Sequence, residues 1–240
     1  MNHKIRPMIR VRNLSKTYVV GEEKAEALKG ISLDIFQGEI CCILGTSGSG
    51  KSTLLNLLAG RERPTSGEVW IRGRRISQMN EEELAVFRQK YIGFIFQSYH
   101  LFPFMTAVEN TAMPLMFQGV PRKKREEIAV QMLKKVGLSH RLMHYPWQMS
   151  GGQQQRAGIA RAFASRPEVI FADEPTGNLD SKTTKEIMEM ITGFARGYHQ
   201  TIVMVTHDPE MEQYAHRVIR LVDGVIVGNE RRFQGKKEET

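Results

Sequence analysis

A glycine-rich segment between two apolar runs constrains the fold of this chain more than any other feature. Residues 45–52 read Gly-Thr-Ser-Gly-Ser-Gly-Lys-Ser, which matches the phosphate-loop pattern of a glycine, four residues and then Gly-Lys-Ser. The run 40–44 before it has the length and composition of a strand buried on both faces. Residues 53–59 after it read as a helix that ends at Gly60. This order predicts an α/β unit that binds phosphate.

The residue types of this loop suit a bound phosphate. Glycines let backbone N–H groups point inward around the phosphate oxygens, and the N-terminus of the following helix adds a favourable partial charge. Lys51 supplies a cation for the outer phosphates, and the Ser52 hydroxyl is a ligand for Mg²⁺. The alternative is a glycine-rich turn that binds nothing, and the flanking strand and helix argue against it.

A second apolar run ends in two carboxylates. Residues 169–172 are apolar and are followed directly by Asp173 and Glu174. Open α/β sheets bind ligands at the carboxyl ends of their strands, so this strand would deliver Asp173 to a metal ion. Glu174 is then placed to take a proton from an attacking water. Alone, such a run often marks only a strand that enters a turn, but with the phosphate loop it predicts a hydrolytic site.

A third segment reads Ser150-Gly151-Gly152-Gln153 and has the form of a helix-capping box. An ordinary cap would explain the serine and the glutamine. Two glycines in a first helical turn, however, cost about 1 kcal/mol each relative to alanine. Glycines at these positions are expected if a phosphate must approach the backbone closely, because a side chain would block it. The segment therefore predicts a second helix N-terminus that binds phosphate.

The remaining pattern alternates strands, turns and helices. We predict further strands at 31–35, 69–71, 92–96 and 201–206, and a hairpin of 218–221 and 225–227 turned by Asp223-Gly224. Thr106 and Glu109 should cap a helix that Pro114 kinks or ends early, and Pro121 fits the first position of the next helix, which Gly137 stops. Asp180 should cap a helix with a core stripe of Ile187, Met190, Ile191 and Phe194. Asp208-Pro209 should start a short helix.

These three segments together identify a resemblance. The chain resembles, over essentially its whole length, the nucleotide-binding subunit of ATP-binding cassette (ABC) transporters. In that family the signature Ser-Gly-Gly-Gln of one subunit closes over ATP held by the phosphate loop of another. The usual signature begins with leucine, whereas this chain has Met149, which is a conservative change.

Four smaller features match the family in the expected order. Gln97 resembles the glutamine that reaches Mg²⁺ and the attacking water, and residues 178–180 resemble the loop that crosses the dimer interface. His207 resembles the histidine that contacts the terminal phosphate, and Tyr18 the aromatic that stacks on adenine. Each has a plain alternative as a loop polar residue, a helix cap, a turn histidine or a core aromatic, but their joint order favours the family.

The resemblance implies an α/β P-loop NTPase fold of the ABC type. It has a RecA-like core, an N-terminal antiparallel β subdomain and an α-helical subdomain at roughly residues 98–166, all within one domain of residues 1–240. It also implies an ATPase with ATP and Mg²⁺ as ligands. The implied catalytic residues are Glu174, His207, Lys51 and Gln97, and the implied metal ligands are Ser52, Gln97 and Asp173. The implied nucleotide-binding residues are Tyr18, Gly45, Thr46, Ser47, Gly48, Ser49, Gly50, Lys51, Ser52, Thr53, Gln97, Asp173, Ser150, Gly151, Gly152, Gln153 and His207.

The implied partners are a second copy of the chain and an integral membrane permease. The aromatic-rich segment 98–104 is the expected permease contact, with packing inside the helical subdomain as the alternative. Several stretches resemble the branch that serves macrolide exporters, lipoprotein-releasing complexes and the cell-division ATPase, so efflux, lipoprotein release and force transmission all stay open. An ABC-type ATPase acting on nucleic acid, a regulatory ATPase of cell-wall remodelling and a metabolic kinase are the alternatives.

Charge, cysteine content and hydropathy narrow the class of protein further. The net charge of +8 is compatible with nucleic acid, anionic lipid or nucleotide, but no basic cluster alternates with aromatics, so no nucleic-acid partner is expected. The adjacent Cys41 and Cys42 should be buried reduced thiols on opposite strand faces. No run approaches the ~20 apolar residues of a membrane span, and no export signal is expected. We therefore expect a cytoplasmic protein held at the inner face of the membrane by its partner.

Overall fold

The computed structural model describes residues 6–232, which form two compact units. Unit 1 comprises residues 6–78 and 203–232, and unit 2 comprises residues 79–202. The strands are β1 (Ile9–Val20), β2 (Glu23–Ile35), β3 (Ile40–Leu44), β4 (Ser66–Ile71), β5 (Arg74–Arg75), β6 (Ile92–Phe96), β7 (Val169–Asp173), β8 (Thr201–Thr206), β9 (Arg217–Val222) and β10 (Val225–Arg231). The α-helices are α1 (Lys51–Leu58), α2 (Glu81–Tyr91), α3 (Ala107–Phe117), α4 (Arg122–Lys135), α5 (Gly151–Ala164) and α6 (Ser181–Gly197). Arg231, Arg232, Lys236 and Lys237 form a basic cluster in the sequence, and Lys236 and Lys237 lie outside the described residues.

Unit 1 contains a four-stranded antiparallel sheet in the order β2-β1-β4-β5. The predicted alternation in β2 is confirmed, because Ile31, Leu33 and Ile35 are buried while Ser32 is exposed. Strand β1 was not predicted. Its polar residues and register shifts, such as the one between Val11 and Leu14 against β2, obscure the alternation that identifies a strand.

Unit 1 also carries the strand that leads into the glycine loop. Every residue of β3 is buried, and β3 pairs in parallel with β9, which turns back through Asp223-Gly224 into β10. Both turn residues have positive φ, as a two-residue hairpin requires. Cys41 and Cys42 are buried free thiols, as predicted. Burial raises the pKa of both, that of Cys42 to about 12.

Unit 2 combines a parallel strand pair with helices α2 to α6. Strands β6 and β7 run side by side with Phe96 opposite Asp173, so both strands end at the same edge. The capping boxes at Thr106/Glu109 and Ser150/Gln153 are confirmed. Helix α2 was not predicted, although Asn80 and Glu83 form the same kind of box at its start.

Three details of the helices differ from the predictions. Helix α3 continues one turn beyond Pro114 to Phe117 and does not end at the proline. Pro121 is the cap of α4 and not its first residue, since its ψ of 145° is not helical. In α6 the buried face is Ile187, Met188, Ile191, Thr192 and Ala195, so Met190 and Phe194 lie at its margin and not in a central stripe.

No helix within residues 6–232 is long and apolar enough to cross a membrane.

Candidate nucleotide site

In unit 1 the glycine loop lies between β3 and α1, and two of its positions leave no room for a side chain. A β-carbon at Gly45 would lie 2.3 Å from the carbonyl oxygen of Leu221. Gly50 has a φ of 99°, and a β-carbon there would lie 2.5 Å from the carbonyl oxygen of Ala27. Both contacts are with backbone atoms, so a larger residue at either position would displace the loop.

Two polar side chains of the loop, Lys51 and Ser49, are buried. The Lys51 side chain is almost fully buried, at 6% exposure, and its ammonium donates to the carbonyl of Thr46 at 2.7 Å. The Ser49 hydroxyl is buried and has no hydrogen-bond partner within residues 6–232. A lysine folded over the loop and a buried hydroxyl with spare hydrogen-bonding capacity fit an anionic phosphate.

His207 and Tyr18, both predicted as site residues, also belong to unit 1. The Gly45 N–H donates to the carbonyl of Thr206 at 3.3 Å, which sets the exposed His207 next to the start of the loop. Tyr18 is half-buried on β1, and its hydroxyl donates to a carboxylate oxygen of Glu62 at 2.6 Å. The structure therefore brings His207 to the loop and ties Tyr18 to the segment after α1.

In unit 2 the structure brings Gln97 and Glu174 together. Each follows the last residue of a strand, and Phe96 is paired in register with Asp173. A β-carbon at Gly177 would lie 2.7 Å from the Gln97 amide nitrogen and 3.3 Å from a carboxylate oxygen of Glu174, so both side chains meet over this glycine. Glu174 has a φ of 42°, a left-handed conformation that is uncommon for residues other than glycine and that occurs in turns and at functional sites.

The segment 177–180 is tied to both Gln97 and α6. The Gln97 side-chain amide donates to the side-chain oxygen of Asn178 at 3.3 Å. The Asn178 side-chain amide donates to the backbone carbonyl of Gln97 at 3.2 Å. Asp180 caps α6, as predicted, by accepting from the Thr183 N–H at 3.0 Å. Hydrogen bonds from the Thr183 backbone and side chain lower the pKa of Asp180.

The signature serine and glycines begin helix α5 in unit 2. Ser150 accepts from the Gln153 N–H at 3.4 Å, and the Gln153 side chain accepts from the Ser150 N–H at 3.1 Å. A β-carbon at Gly151 would lie 2.7 Å from the Tyr99 hydroxyl, and one at Gly152 would lie 3.1 Å from the Thr183 methyl. The glycines therefore have a packing role that the sequence argument, based on phosphate approach alone, did not include.

Two residues of this site were not predicted. Arg161 of α5 donates to the backbone carbonyls of Tyr99 at 2.7 Å and His100 at 2.5 Å, and burial lowers its pKa to about 10. Gln155 is buried and donates to the carbonyl of Pro175. The available signal was weak: Gln155 is a polar residue on the buried face of α5, where alanine predominates, and Arg161 is partly exposed on the same helix.

A phosphate loop after a buried strand, with a carboxylate and an amide at the ends of two paired strands, defines the P-loop nucleotide hydrolases as a class. The comparisons with known proteins agree. The family model described as ABC transporter matches residues 28–177. An uncharacterized ABC transporter ATP-binding protein from Methanocaldococcus jannaschii is 52% identical over 92% of this chain and 98% of its own length.

Two relatives carry more specific names. The lipoprotein-releasing system ATP-binding protein LolD of Geobacter metallireducens is 45% identical over 92% of this chain and 99% of its own length. The macrolide export ATP-binding/permease protein MacB of Agrobacterium fabrum is 44% identical over 94% of this chain, which matches 35% of that longer protein. A solved dimeric post-hydrolysis structure of the ATP-binding cassette MJ0796, bound to ADP and Pi, is 41% identical with a TM-score of 0.86, and the match covers 93% of this chain and 98% of that one.

The chain belongs to the ABC transporter family, in the branch that the sequence predicted. It is an ATP-binding subunit and an ATPase with the α/β fold of ABC cassettes. The predictions of fold class, family and enzyme class are confirmed.

Proposed function

We propose that two copies of this chain close over two ATP molecules and use their hydrolysis to drive a separate membrane subunit. The observation that carries the proposal is the pairing of Gln97 and Glu174 over Gly177, with Glu174 held in a left-handed conformation. A carboxylate fixed beside an amide at the end of a strand can orient and deprotonate a water molecule. Glu174 is therefore the proposed general base, and Gln97 positions the water.

The remaining residues of the site take complementary roles. Lys51, the backbone of the loop 45–52 and the proposed contact from His207 hold and neutralise the phosphates, and Tyr18 stacks on the adenine. Ser52, Gln97 and Asp173 are the proposed ligands of Mg²⁺, because hydroxyl, amide and carboxylate oxygens are the donors that this ion prefers. When bound, Mg²⁺ neutralises the charge that develops on the transferred phosphoryl group.

The N-terminus of helix α5, which carries the signature residues 150–153, is the proposed second phosphate-binding element. Two glycines and a capping serine at the start of α5 present backbone N–H groups at a helix N-terminus, which is a favourable place for an anion. We assign this surface to the terminal phosphate of the ATP held by the other copy. The dimeric MJ0796 structure supports this arrangement as a model for the chain.

A groove in unit 2 is the proposed contact for the membrane subunit. It has a volume of about 690 Å³, and its apolar lining includes Phe94, Phe96, Phe102, Met113, Pro114 and Phe117. Phe104, two residues after Phe102 in the chain, is 92% exposed, and apolar surface of this kind commonly binds another protein. The groove extends the sequence prediction for 98–104. Such a partner would hold the chain at the inner face of the membrane.

The work that hydrolysis drives is proposed from the relatives. The names of MacB and LolD support macrolide-type export or lipoprotein release as the class of task. The membrane subunit would select the cargo, since the residues of the nucleotide site contact only ATP and the second copy.

The Glu174→Gln variant tests the assignment of the general base. The amide keeps the size of the side chain but cannot accept a proton, so ATP binding should persist while turnover falls by about 10²–10⁴-fold. Steady-state phosphate release and size-exclusion chromatography with light scattering measure the two effects. We expect a stable dimer with ATP, whereas near-normal hydrolysis would show that another group is the base. Glu168→Gln, just before β7, is the control.

A further inference from the structure

We propose that Glu62 is a positioning residue for ATP binding: its carboxylate fixes the ring of Tyr18 for adenine. The inference rests on the proposed stacking role of Tyr18. Glu62 lies just after helix α1 in unit 1, within the segment that returns the chain toward β4, and belongs to none of the three motifs.

Glu62 contacts both Tyr18 and helix α1. The Tyr18 hydroxyl donates to one carboxylate oxygen of Glu62 at 2.6 Å, which is a short hydrogen bond to a charged acceptor. The other oxygen accepts from the side-chain amide of Asn56, on α1, at 3.0 Å. Glu62 therefore links the aromatic ring on β1 to the helix whose N-terminus holds the phosphates.

Glu62 also helps to hold a cation over one face of the Tyr18 ring. The Lys16 ammonium lies 4.9 Å from the centre of the Tyr18 ring, over one face. It is held there by the Arg63 carbonyl at 2.9 Å and by the Glu62 carboxylate at 3.6 Å. Because a cation covers one face, a base must stack on the opposite face. The Glu62 carboxylate thus restrains the Tyr18 hydroxyl directly. Through Lys16 it also determines which face of the Tyr18 ring is covered.

The protonation states agree with this geometry. Burial raises the pKa of Glu62, but the hydrogen bonds from Tyr18 and Asn56 and the charge of Lys16 outweigh it, so the net pKa lies below the ordinary value. Burial and the bond to Glu62 raise the pKa of Tyr18. At neutral pH the carboxylate is ionised and the phenol keeps its proton, so donor and acceptor are both in the required form.

The test separates base recognition from phosphate recognition. Isothermal titration in the absence of Mg²⁺ gives Kd for ATP and for inorganic tripolyphosphate, which has no base to stack. Glu62→Ala should raise Kd for ATP about three- to tenfold, the range expected when one side chain must be ordered on binding, and leave tripolyphosphate unchanged. Glu62→Gln, which keeps an acceptor oxygen, should recover most of the affinity.

A double-mutant comparison adds a readout that a purely structural role would not move. Adding Glu62→Ala to Tyr18→Phe should weaken ATP binding less than Glu62→Ala does in the wild-type chain, because the hydroxyl that Glu62 holds is already absent and only the contact of Glu62 with Lys16 is lost. The matched control is Glu68→Ala, since Glu68 is a similarly exposed carboxylate of unit 1 that also accepts from an aromatic side chain, the Trp70 indole at 3.0 Å. This control should bind both ligands normally.

Three results would overturn the inference. Normal ATP affinity in Glu62→Ala, together with weakened affinity in Tyr18→Ala, would leave the stacking role intact and remove Glu62 from it. Equal losses for ATP and tripolyphosphate would mean that Glu62 supports α1 through Asn56. Normal ATP affinity in Tyr18→Ala would refute the stacking role itself.

Discussion

Replacing Arg161 with leucine should loosen the segment that follows Gln97. Tyr99 and His100 both have left-handed backbone conformations, with φ of 59° and 46°, which non-glycine residues adopt at a cost. The Arg161 guanidinium donates to the backbone carbonyls of both residues. Leucine would fill much of the same space but could not hold either carbonyl.

The size of the effect follows from two opposing contributions. Hydrogen bonds from a charged donor contribute roughly 1.5–3 kcal/mol each, and leucine removes both. Leucine also removes the cost of burying the guanidinium, which the fall of its pKa to about 10 puts at roughly 3 kcal/mol. The difference lies between about 0 and 3 kcal/mol, and we expect a net loss near its midpoint, about 1–2 kcal/mol, in the free energy of unfolding. For a chain of this size that corresponds to a fall of roughly 2–8 °C in Tm.

Catalysis should respond more strongly than stability. Gln97 lies two residues before the segment that Arg161 holds, so a displaced Gln97 would lower kcat, by about tenfold, while the phosphate loop keeps its affinity for ATP. Calorimetry and steady-state hydrolysis measure the two quantities. Arg122→Leu is the matched control, because Arg122 lies in the same unit and its ion pair with Glu126 is exposed. Wild-type Tm and kcat in Arg161→Leu, or equal losses in the control, would refute this reasoning.

Two further predictions concern thiols and acid stability. Cys41 and Cys42 are buried and their pKa values are raised, so neither should react with a thiol reagent at pH 8 until the protein is unfolded. A colorimetric titration that counted a reactive thiol in the native protein would contradict this expectation. Hydrogen bonds from the Thr106 backbone and side chain lower the pKa of Glu109, so the stability it adds to α3 is complete above about pH 4.5 and is lost as pH falls through its lower native pKa. Thermal melts between pH 3 and 6 should show a shallower acid dependence for Glu109→Gln, and an unchanged slope would contradict the cap.

Local chemistry explains which features the sequence could predict. The phosphate loop, the capping boxes at Thr106 and Ser150 and the Asp223-Gly224 turn each depend on residues within a few positions of one another. Their patterns are therefore complete in the sequence. The buried strands β3 and β7 were equally predictable, because apolar runs of this length beside glycines or carboxylates have few alternatives.

The features that were missed depend on contacts between distant residues. Arg161 meets Tyr99 across 62 positions, and neither residue stands out in its own segment. The buried face of α6 includes Met188 and not Met190, since the neighbouring elements decide which side of an amphipathic helix is covered. The left-handed conformation of Glu174 likewise has no local signal, because glutamate rarely adopts it.

The central claim is that each ATP is held by the phosphate loop of one copy and the signature of the other. Two variants test it when combined with Glu174→Gln: Lys51→Ala disables the loop, and Ser150→Arg disables the signature. Each variant is labelled with a donor or an acceptor fluorophore and titrated with ATP, alone and mixed. We predict energy transfer only in the mixture, where one intact loop faces one intact signature. Equal ATP-dependent association in either variant alone, or none in the mixture while the Glu174→Gln parent dimerises, would contradict a shared site.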